Sequence, residues 1–300
     1  MNDKFTNKRT FWATFAAFFS NFIFGFSFLF SNMALKHATP SVLLALRFLF
    51  AFAIMNLLVL LKVVKIRFKG KNVWQVVLMG LMQPVIYFYC ESYGIEMTSA
   101  TFAAIMIALV PVGAMVYSAF FMKEPPTFLQ AVFGIISVLG VILLSGGGGG
   151  ASLSGTFLLI GAIITAVGFN AVSRKSAREF NAFERTYIMF AVASLVFTVS
   201  ALLENRSDLT AIYTPLLNME FLISILYLGV LSSVIAFMLI NYANTYLPIS
   251  RTTIFSNVIT VVSIFAGILI LKDTEPSFGN IFYSIMIITG IFGVQKFAKE

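Results

Sequence analysis

The sequence predicts an all-α integral membrane protein whose ten transmembrane helices form two inverted five-helix repeats. Of its 300 residues, 59% are hydrophobic and only 11% are charged, and the mean hydropathy is +0.95. Soluble domains carry about 25% charged residues, and a soluble chain of this size could not bury so much apolar surface. Long uncharged stretches and a likeness between the two halves complete the prediction.

The chain contains ten apolar stretches of about the length that crosses a bilayer, which takes roughly 20 residues. The basic N-terminus, MNDKFTNKRT, leads into the first stretch without a small-residue cleavage site, so we expect a retained helix and not a signal peptide. Short loops separate the stretches, as in a compact bundle. The predicted spans are residues 11–35, 42–64, 73–94, 98–121, 128–146, 154–173, 183–203, 219–242, 251–271 and 278–296.

The positive charges predict the orientation of these spans. If the N-terminus is inside, only Lys36, Arg206 and Lys272 of the 20 Lys and Arg residues lie outside, and Arg47 is assigned to the interior of a span. The others, Arg185 among them, then belong to the cytoplasmic side, where such an excess is the rule. We therefore expect a multi-pass protein of the cell (inner) membrane with both termini in the cytoplasm.

The two halves of the chain share an order of features. Residues 93–127 contain an uncharged helix, a charged turn and the start of another helix, and residues 242–277 repeat that order at a shift of 149 positions. After one extra residue the shift becomes 150, and Gly140 then falls on Gly290. This register predicts an internal repeat.

A glycine run at residues 145–152 divides the chain at its centre, and such a run is typical of a flexible linker. It separates a first repeat, residues 1–146, from a second, residues 147–300. Five spans in each half is an odd number, so the halves must thread the membrane in opposite directions. Many secondary transporters are built from repeats related in this way.

The composition also excludes several kinds of site. Cys90 is the only cysteine and His37 the only histidine, so we expect no disulfide, no metal and no cofactor, and a solvated His37 in an outer loop. The positive-inside pattern explains the net charge of +8 better than nucleic-acid binding does. The absence of recognised catalytic motifs such as His-Glu-x-x-His argues against an enzyme.

The spacing of proline, glycine and acidic residues in the fourth and fifth spans resembles that of a known family. The first half has Leu-Val-Pro-Val around Pro111, then Glu124 thirteen residues later, then Gly134 and Gly140 six apart. This pattern resembles the EamA-like branch of the drug/metabolite transporter (DMT) superfamily.

The second half keeps a reduced version of the same landmarks. Thr260 stands where the proline is expected, Asp273 follows it by thirteen residues, and Ser284 and Gly290 keep the six-residue spacing. The resemblance therefore covers nearly the whole chain, from about residue 11 to residue 294.

The resemblance implies a secondary active transporter with a central cavity and alternating access. It would export small metabolites, with amino acids as the first candidates. The alternatives are proton-coupled efflux of drugs, a passive channel and an intramembrane enzyme. The expected partners are a small-molecule substrate, the lipid bilayer and, for coupling, protons. Two fused halves make a monomer sufficient, although a dimer is an open alternative.

Two ionisable residues inside the predicted spans are candidates for substrate binding. Charges within a bilayer are costly and usually face a cavity or a partner. Glu91 lies near the outer end of the third span, and Arg47 lies on the outer side of the second. Either they line an external vestibule, where together they would suit a zwitterion, or they pair with each other or reach the headgroups.

Polar residues at helical spacing extend this candidate site. Gln83, Tyr87 and Glu91 are spaced by four and form one stripe. Two further stripes include Asn21 in the first span and Thr253, Asn257 and Thr260 in the ninth, and packing between helices is the alternative role for such residues. Pro84 and Pro111 are expected to kink their helices and to serve as hinges.

The orientation can be tested by labelling single cysteines in a Cys90→Ser background. We expect a cysteine at Ser152 to react with an impermeant maleimide in intact cells. Cysteines at Asn7 and Lys299 should react only after permeabilisation, because both termini lie inside. Termini on opposite sides of the membrane would contradict an even number of crossings.

Overall fold

The computed structural model describes residues 2–121, 125–146, 152–247, 252, 255–271 and 278–297, and the described residues contain helices and no strand. Two short helices, Thr210–Tyr213 and Thr214–Leu217, lie between the long helices Ala182–Glu204 and Met219–Tyr246. The long elements are α1 (Asn2–Leu35), α2 (Pro40–Leu60), α3 (Val73–Met97), α4 (Ala100–Ile107 continued by Val110–Phe121), α5 (Phe128–Gly146), α6 (Leu153–Ser176), α7 (Ala182–Glu204), α8 (Met219–Tyr246), α9 (Ser256–Ala266 continued by Gly267–Leu271) and α10 (Phe278–Lys296).

Most of these helices are long and apolar enough to cross a membrane. Elements α1 to α4 and α6 to α8 each contain at least 18 suitable residues, which makes seven within the described parts of the chain. Elements α5 and α10 are shorter apolar helices there. The all-α membrane fold is thus confirmed, whereas the count of ten crossings stays a prediction.

Several helices begin at a residue whose side chain accepts a backbone N–H of the first turn. Ser99 does so before α4 and Ser152 before α6. Asn181 and Glu184 form a capping box at the start of α7. These bonds satisfy donors that a helix cannot satisfy internally, so short loops suffice to reverse the chain.

The two halves are interleaved and do not lie side by side. The first helix of one half, α1, packs against the third and fourth helices of the other, α8 and α9. In the same way α6 packs against α3 and α4, α2 pairs with α7, and α5 pairs with α10. Each half therefore completes the packing of the other.

The pairing of α5 with α10 is reciprocal, as expected where two related elements cross at a two-fold axis. A Cβ atom added to Gly140 would lie 3.1 Å from the carbonyl oxygen of Tyr283, and one added to Gly290 would lie 2.6 Å from that of Phe133. The shift of 150 positions relates both glycines and both aromatic residues. Glycine is needed here because the backbones approach closely.

The centre of the bundle is an aromatic cluster around Phe48 of α2. Its buried ring lies 5.5 Å from that of Phe88 and 5.4 Å from those of Phe190 and Phe197, measured between centroids. Aromatic pairs at such separations attract each other beyond their burial. The cluster joins α2, α3 and α7.

The third and fourth helices of both halves depart from regular α-helix. Element α3 has a π-helical segment at Leu81–Ile86, and α8 has one at Tyr227–Ile235. Element α4 is broken at residues 108–109, and α9 ends in a π-helical segment, Gly267–Leu271. The α1, α2, α6 and α7 elements are continuous α-helices.

Substitution of Gly290 tests the close crossing of α5 and α10. Gly290→Ala should lower the midpoint of thermal unfolding in detergent, because overpacking against a backbone typically costs about 1–3 kcal/mol. Gly279→Ala is the matched control on the same helix, since its added Cβ lies 3.4 Å from the nearest ring atom of Tyr283. Equal melting of both variants would contradict the reciprocal contact.

Candidate functional site

A central cavity of about 100 Å³ lies between the first, third and fourth helices of each half. Its walls thus come from α1, α3 and α4 on one side and from α6, α8 and the region of α9 on the other. The polar residues lining it are Asn21, Ser27, Gln83, Tyr87, Glu91, Asn170, Thr252 and Ser256. The aromatic residues lining it are Phe24, Phe28, Tyr87, Phe88, Phe169 and Phe237.

The repeat register relates opposite walls of this cavity. Phe88 and Phe237 stand 149 positions apart, as do Glu91 and Ile240. In each half, the π-helical segment of α3 or α8 lies just before these residues. The scaffold of the cavity is therefore matched between the halves, whereas its charge is not.

Glu91 supplies the acidic side chain of the lining. It is 5% exposed, and its Oε1 accepts a hydrogen bond of 3.1 Å from the hydroxyl of Tyr87, one helical turn earlier. Within the described residues, no group of three or more His, Cys, Asp or Glu side chains could hold a metal ion. The hydrogen bond from Tyr87 thus holds the Glu91 side chain at the cavity wall.

The interruption of α3 places Gln83 in the cavity wall. Its backbone is extended within the π-helical segment, with φ −145° and ψ 118°, and the buried Pro84 follows. Proline has no N–H to continue the helical ladder. The break in α4 likewise lies just before Pro111. Both kinks coincide with the expected prolines, and their role as hinges stays a prediction.

Arg47 lies behind the cavity and is not among the lining residues, which differs from the expected place in a shared vestibule with Glu91. It is 1% exposed, and its guanidinium lies 4.1 Å from the ring centroid of Phe88. Its Nε donates to Ser233 Oγ and its Nη2 to Ser232 Oγ, both at 3.0 Å. Among the ion pairs of the described residues, none joins Arg47 to Glu91.

A serine pair connects Arg47 to the cavity. Ser232 Oγ lies 2.8 Å from Ser27 Oγ, and Ser27 is a lining residue of α1. Sequence analysis missed both serines. The repeat register offered a signal, because Ser232 and Ser233 stand 149 positions after Gln83 and Pro84.

The two candidate asparagines, Asn21 and Asn257, lie in different places. Asn21 lines the cavity, and its Nδ2 donates to the carbonyl oxygen of Ala17 at 2.6 Å. Asn257 lies outside the cavity, where its Nδ2 donates to Gln295 Oε1 at 2.8 Å and ties α9 to α10. The other members of its stripe, Thr253 and the side chain of Thr260, lie outside the described residues.

Arg185, counted among the cytoplasmic charges, is buried near the start of α7. It is 0% exposed, and its Nη1 donates to the carbonyl oxygen of Ser173 at 2.9 Å. Its Nη2 donates to the carbonyl oxygen of Asn241 and to Thr245 Oγ1. The acceptors lie near the C-terminal ends of α6 and α8, where helix carbonyls favour a cation.

A hydrogen-bonded pair of side chains joins the two halves at each end of the bundle. His37 Nε2 lies 3.0 Å from Glu220 Oε2, and Lys71 Nζ lies 2.6 Å from Glu184 Oε2. His37 was expected to be solvated, but its side chain retains only 26% of its accessible surface. The first pair connects the loop between α1 and α2 with the start of α8, and the second connects the loop between α2 and α3 with the start of α7.

Comparisons with known proteins agree on one family. The model of the EamA-like transporter family matches residues 11–146 and 153–295. A protein of Bacillus subtilis (strain 168) named uncharacterized transporter YcxC is 32% identical over 271 residues, which is 88% of this chain and 86% of that protein. An uncharacterized transporter of Archaeoglobus fulgidus is 24% identical over 267 residues, which is 88% of this chain and 91% of that protein.

The fold is also found in a solved structure. A protein of known crystal structure superposes with a TM-score of 0.68 at 17% identity, over 96% of this chain and 97% of the other. At this identity the likeness concerns the fold alone. The family matches cover both halves and nearly the whole chain, and so the chain belongs to the EamA-like transporter family.

Proposed function

We propose that this transporter is a secondary active exporter that carries small metabolites, amino acids foremost, across the cell (inner) membrane by alternating access. The observation that supports it best is the central cavity, whose walls come from the first, third and fourth helices of both halves. Elements α3, α4 and α8 are interrupted, and the described part of α9 ends in a π-helical segment. Interrupted helices beside a site at the repeat interface are typical of secondary transporters.

The hydrogen-bonded pairs at the ends of the bundle fit this mechanism. Each one ties a residue of the first half to one of the second, His37 to Glu220 and Lys71 to Glu184. Alternating access requires one end to open while the other stays closed. In the orientation that the charges predict, Lys71 and Glu184 close the cytoplasmic end and His37 and Glu220 the outer end.

The lining of the cavity favours a substrate with an amino group on an apolar body. Glu91 is an acceptor for an ammonium group, and aromatic faces attract cations. A cavity of about 100 Å³ is smaller than the ~300–1,000 Å³ of drug pockets. An amino acid suits this space better than a drug.

The second candidate function is proton-coupled efflux of cationic drugs. The observation that favours it is the combination of one carboxylate with several aromatic rings around the same cavity. Glu91 would exchange protons for cations in that case. The two candidates differ in whether a carboxylate on the substrate helps or hinders binding.

Counterflow in proteoliposomes tests the proposed substrate class. Vesicles loaded with unlabelled amino acid should accumulate labelled leucine or phenylalanine transiently, because a carrier exchanges substrate across a closed membrane. Sugars should not compete. Exchange of organic cations alone would support drug efflux. Unsaturable, ohmic currents in planar bilayers would indicate a channel, and turnover of lipid or peptide would indicate an enzyme.

A pair of carboxylate variants on α3 tests proton coupling. Glu91→Gln should abolish the response of uptake to a pH gradient, since the variant cannot exchange a proton inside the cavity. Glu96→Gln is the matched control, because Glu96 lies on the same helix and is exposed. Uptake by Glu91→Gln that follows the gradient as the unmodified protein does would remove this role from Glu91.

A further inference from the structure

The charge of Arg47 is buried and is held by neutral groups. Its guanidinium meets two serine hydroxyls and the face of Phe88. Phe88 also lines the cavity, so the ring separates the cation from the space where a substrate would sit. The field of the cation acts across this ring, whereas its hydrogen bonds reach the cavity only through another group.

The hydrogen bonds from Arg47 form a directed relay. A guanidinium can only donate, so the oxygen of Ser232 is the acceptor of the bond from Nη2. The field of the cation turns the hydroxyl proton of Ser232 away from Arg47, and Ser27 Oγ lies 2.8 Å from Ser232 Oγ in a position to accept it. Ser232 thus accepts a hydrogen bond from Arg47 and donates one to Ser27.

The hydroxyl proton of Ser27 is the last donor in this series of hydrogen bonds. Its partner within α1 is the carbonyl oxygen of Ile23, at the long distance of 3.3 Å. That oxygen already accepts a bond of 2.9 Å from the hydroxyl of Tyr227. A stronger acceptor in the cavity can therefore take the proton of Ser27 at little loss.

We propose that Ser27 binds the anionic group of the substrate, and that Arg47 and Ser232 are positioning residues that polarise its hydroxyl. This inference rests on the proposed transport function and deepens it. Glu91 receives the ammonium group and Ser27 the carboxylate, so the cavity selects a zwitterion. Hydrogen bonds to charged groups are stronger than neutral ones, and the relay lets a remote guanidinium contribute.

The test compares an amino acid with the amine that lacks its carboxylate. The probes are labelled phenylalanine and phenylethylamine, measured in counterflow with purified protein in proteoliposomes. Ser27→Ala and Ser232→Ala should each raise the KM for phenylalanine about tenfold, as expected for a lost bond to a charged group. The KM for phenylethylamine should rise by a much smaller factor, because this probe has no carboxylate to lose the bond.

Ser224→Ala is the control for loss of a buried hydroxyl from α8. Ser224 is buried, and its Oγ donates to the carbonyl oxygen of Glu220 in its own helix, away from the cavity. This variant should transport both probes normally. Ser27→Thr, which keeps the hydroxyl, should restore most of the affinity for phenylalanine.

The outcomes separate this inference from the transport proposal. If the unmodified protein exchanges neither probe, the proposed substrate class fails. If it exchanges phenylalanine but the serine variants keep the same KM, the relay is wrong. A loss that affects phenylalanine and phenylethylamine equally also overturns the relay, because the predicted effect is much larger for the substrate with a carboxylate.

Discussion

The requirement that buried charges find partners inside the protein shapes this molecule. A bilayer offers no water to polar groups, and an unsatisfied one costs several kcal/mol. Arg47 is satisfied by serines of α8, so a residue of the first half depends on the second. The two terminal nitrogens of Arg185 donate to carbonyl and hydroxyl oxygens of α6 and α8, whereas its buried Nε has no partner among the described residues. These contacts fix where the helices of the bundle can meet.

The interleaving of the halves has a mechanical consequence. Because α1 packs on α8 and α9, and α6 on α3 and α4, neither half encloses the cavity alone. Tilting the third and fourth helices of one half therefore changes the wall that faces the first helix of the other. Packed interfaces of this kind switch between discrete arrangements and do not deform continuously.

The sequence predicted the fold class and much of the cavity. Asn21, Gln83, Tyr87 and Glu91 all line it, because polar residues at helical spacing in apolar spans face the interior of the bundle. Their predicted role in binding remains untested. Prolines also marked the interruptions of α3 and α4, since proline breaks the helical ladder.

Other features depend on packing that one-dimensional spacing does not show. Arg47 stands behind Phe88 because the rotation of α2 about its axis is set by contact with α7 and α8. Ser27 and Ser232 are small residues, which commonly serve only to pack helices together. The burial of Arg185 was not predicted, because helix carbonyls that accept hydrogen bonds from a cation leave no mark in the sequence.

The two halves contribute matching aromatic walls to the cavity, but they differ in the charges that they place there. Phe88 and Phe237 keep the aromatic walls equivalent, while Glu91 faces the cavity where its repeat mate is Ile240. A symmetric cavity would hold a substrate in two opposite orientations, but a single carboxylate favours one of them. Under the proposed alternating access, the inverted halves would give two accessible states, and the asymmetry of their charges would hold the solute in the same orientation in both.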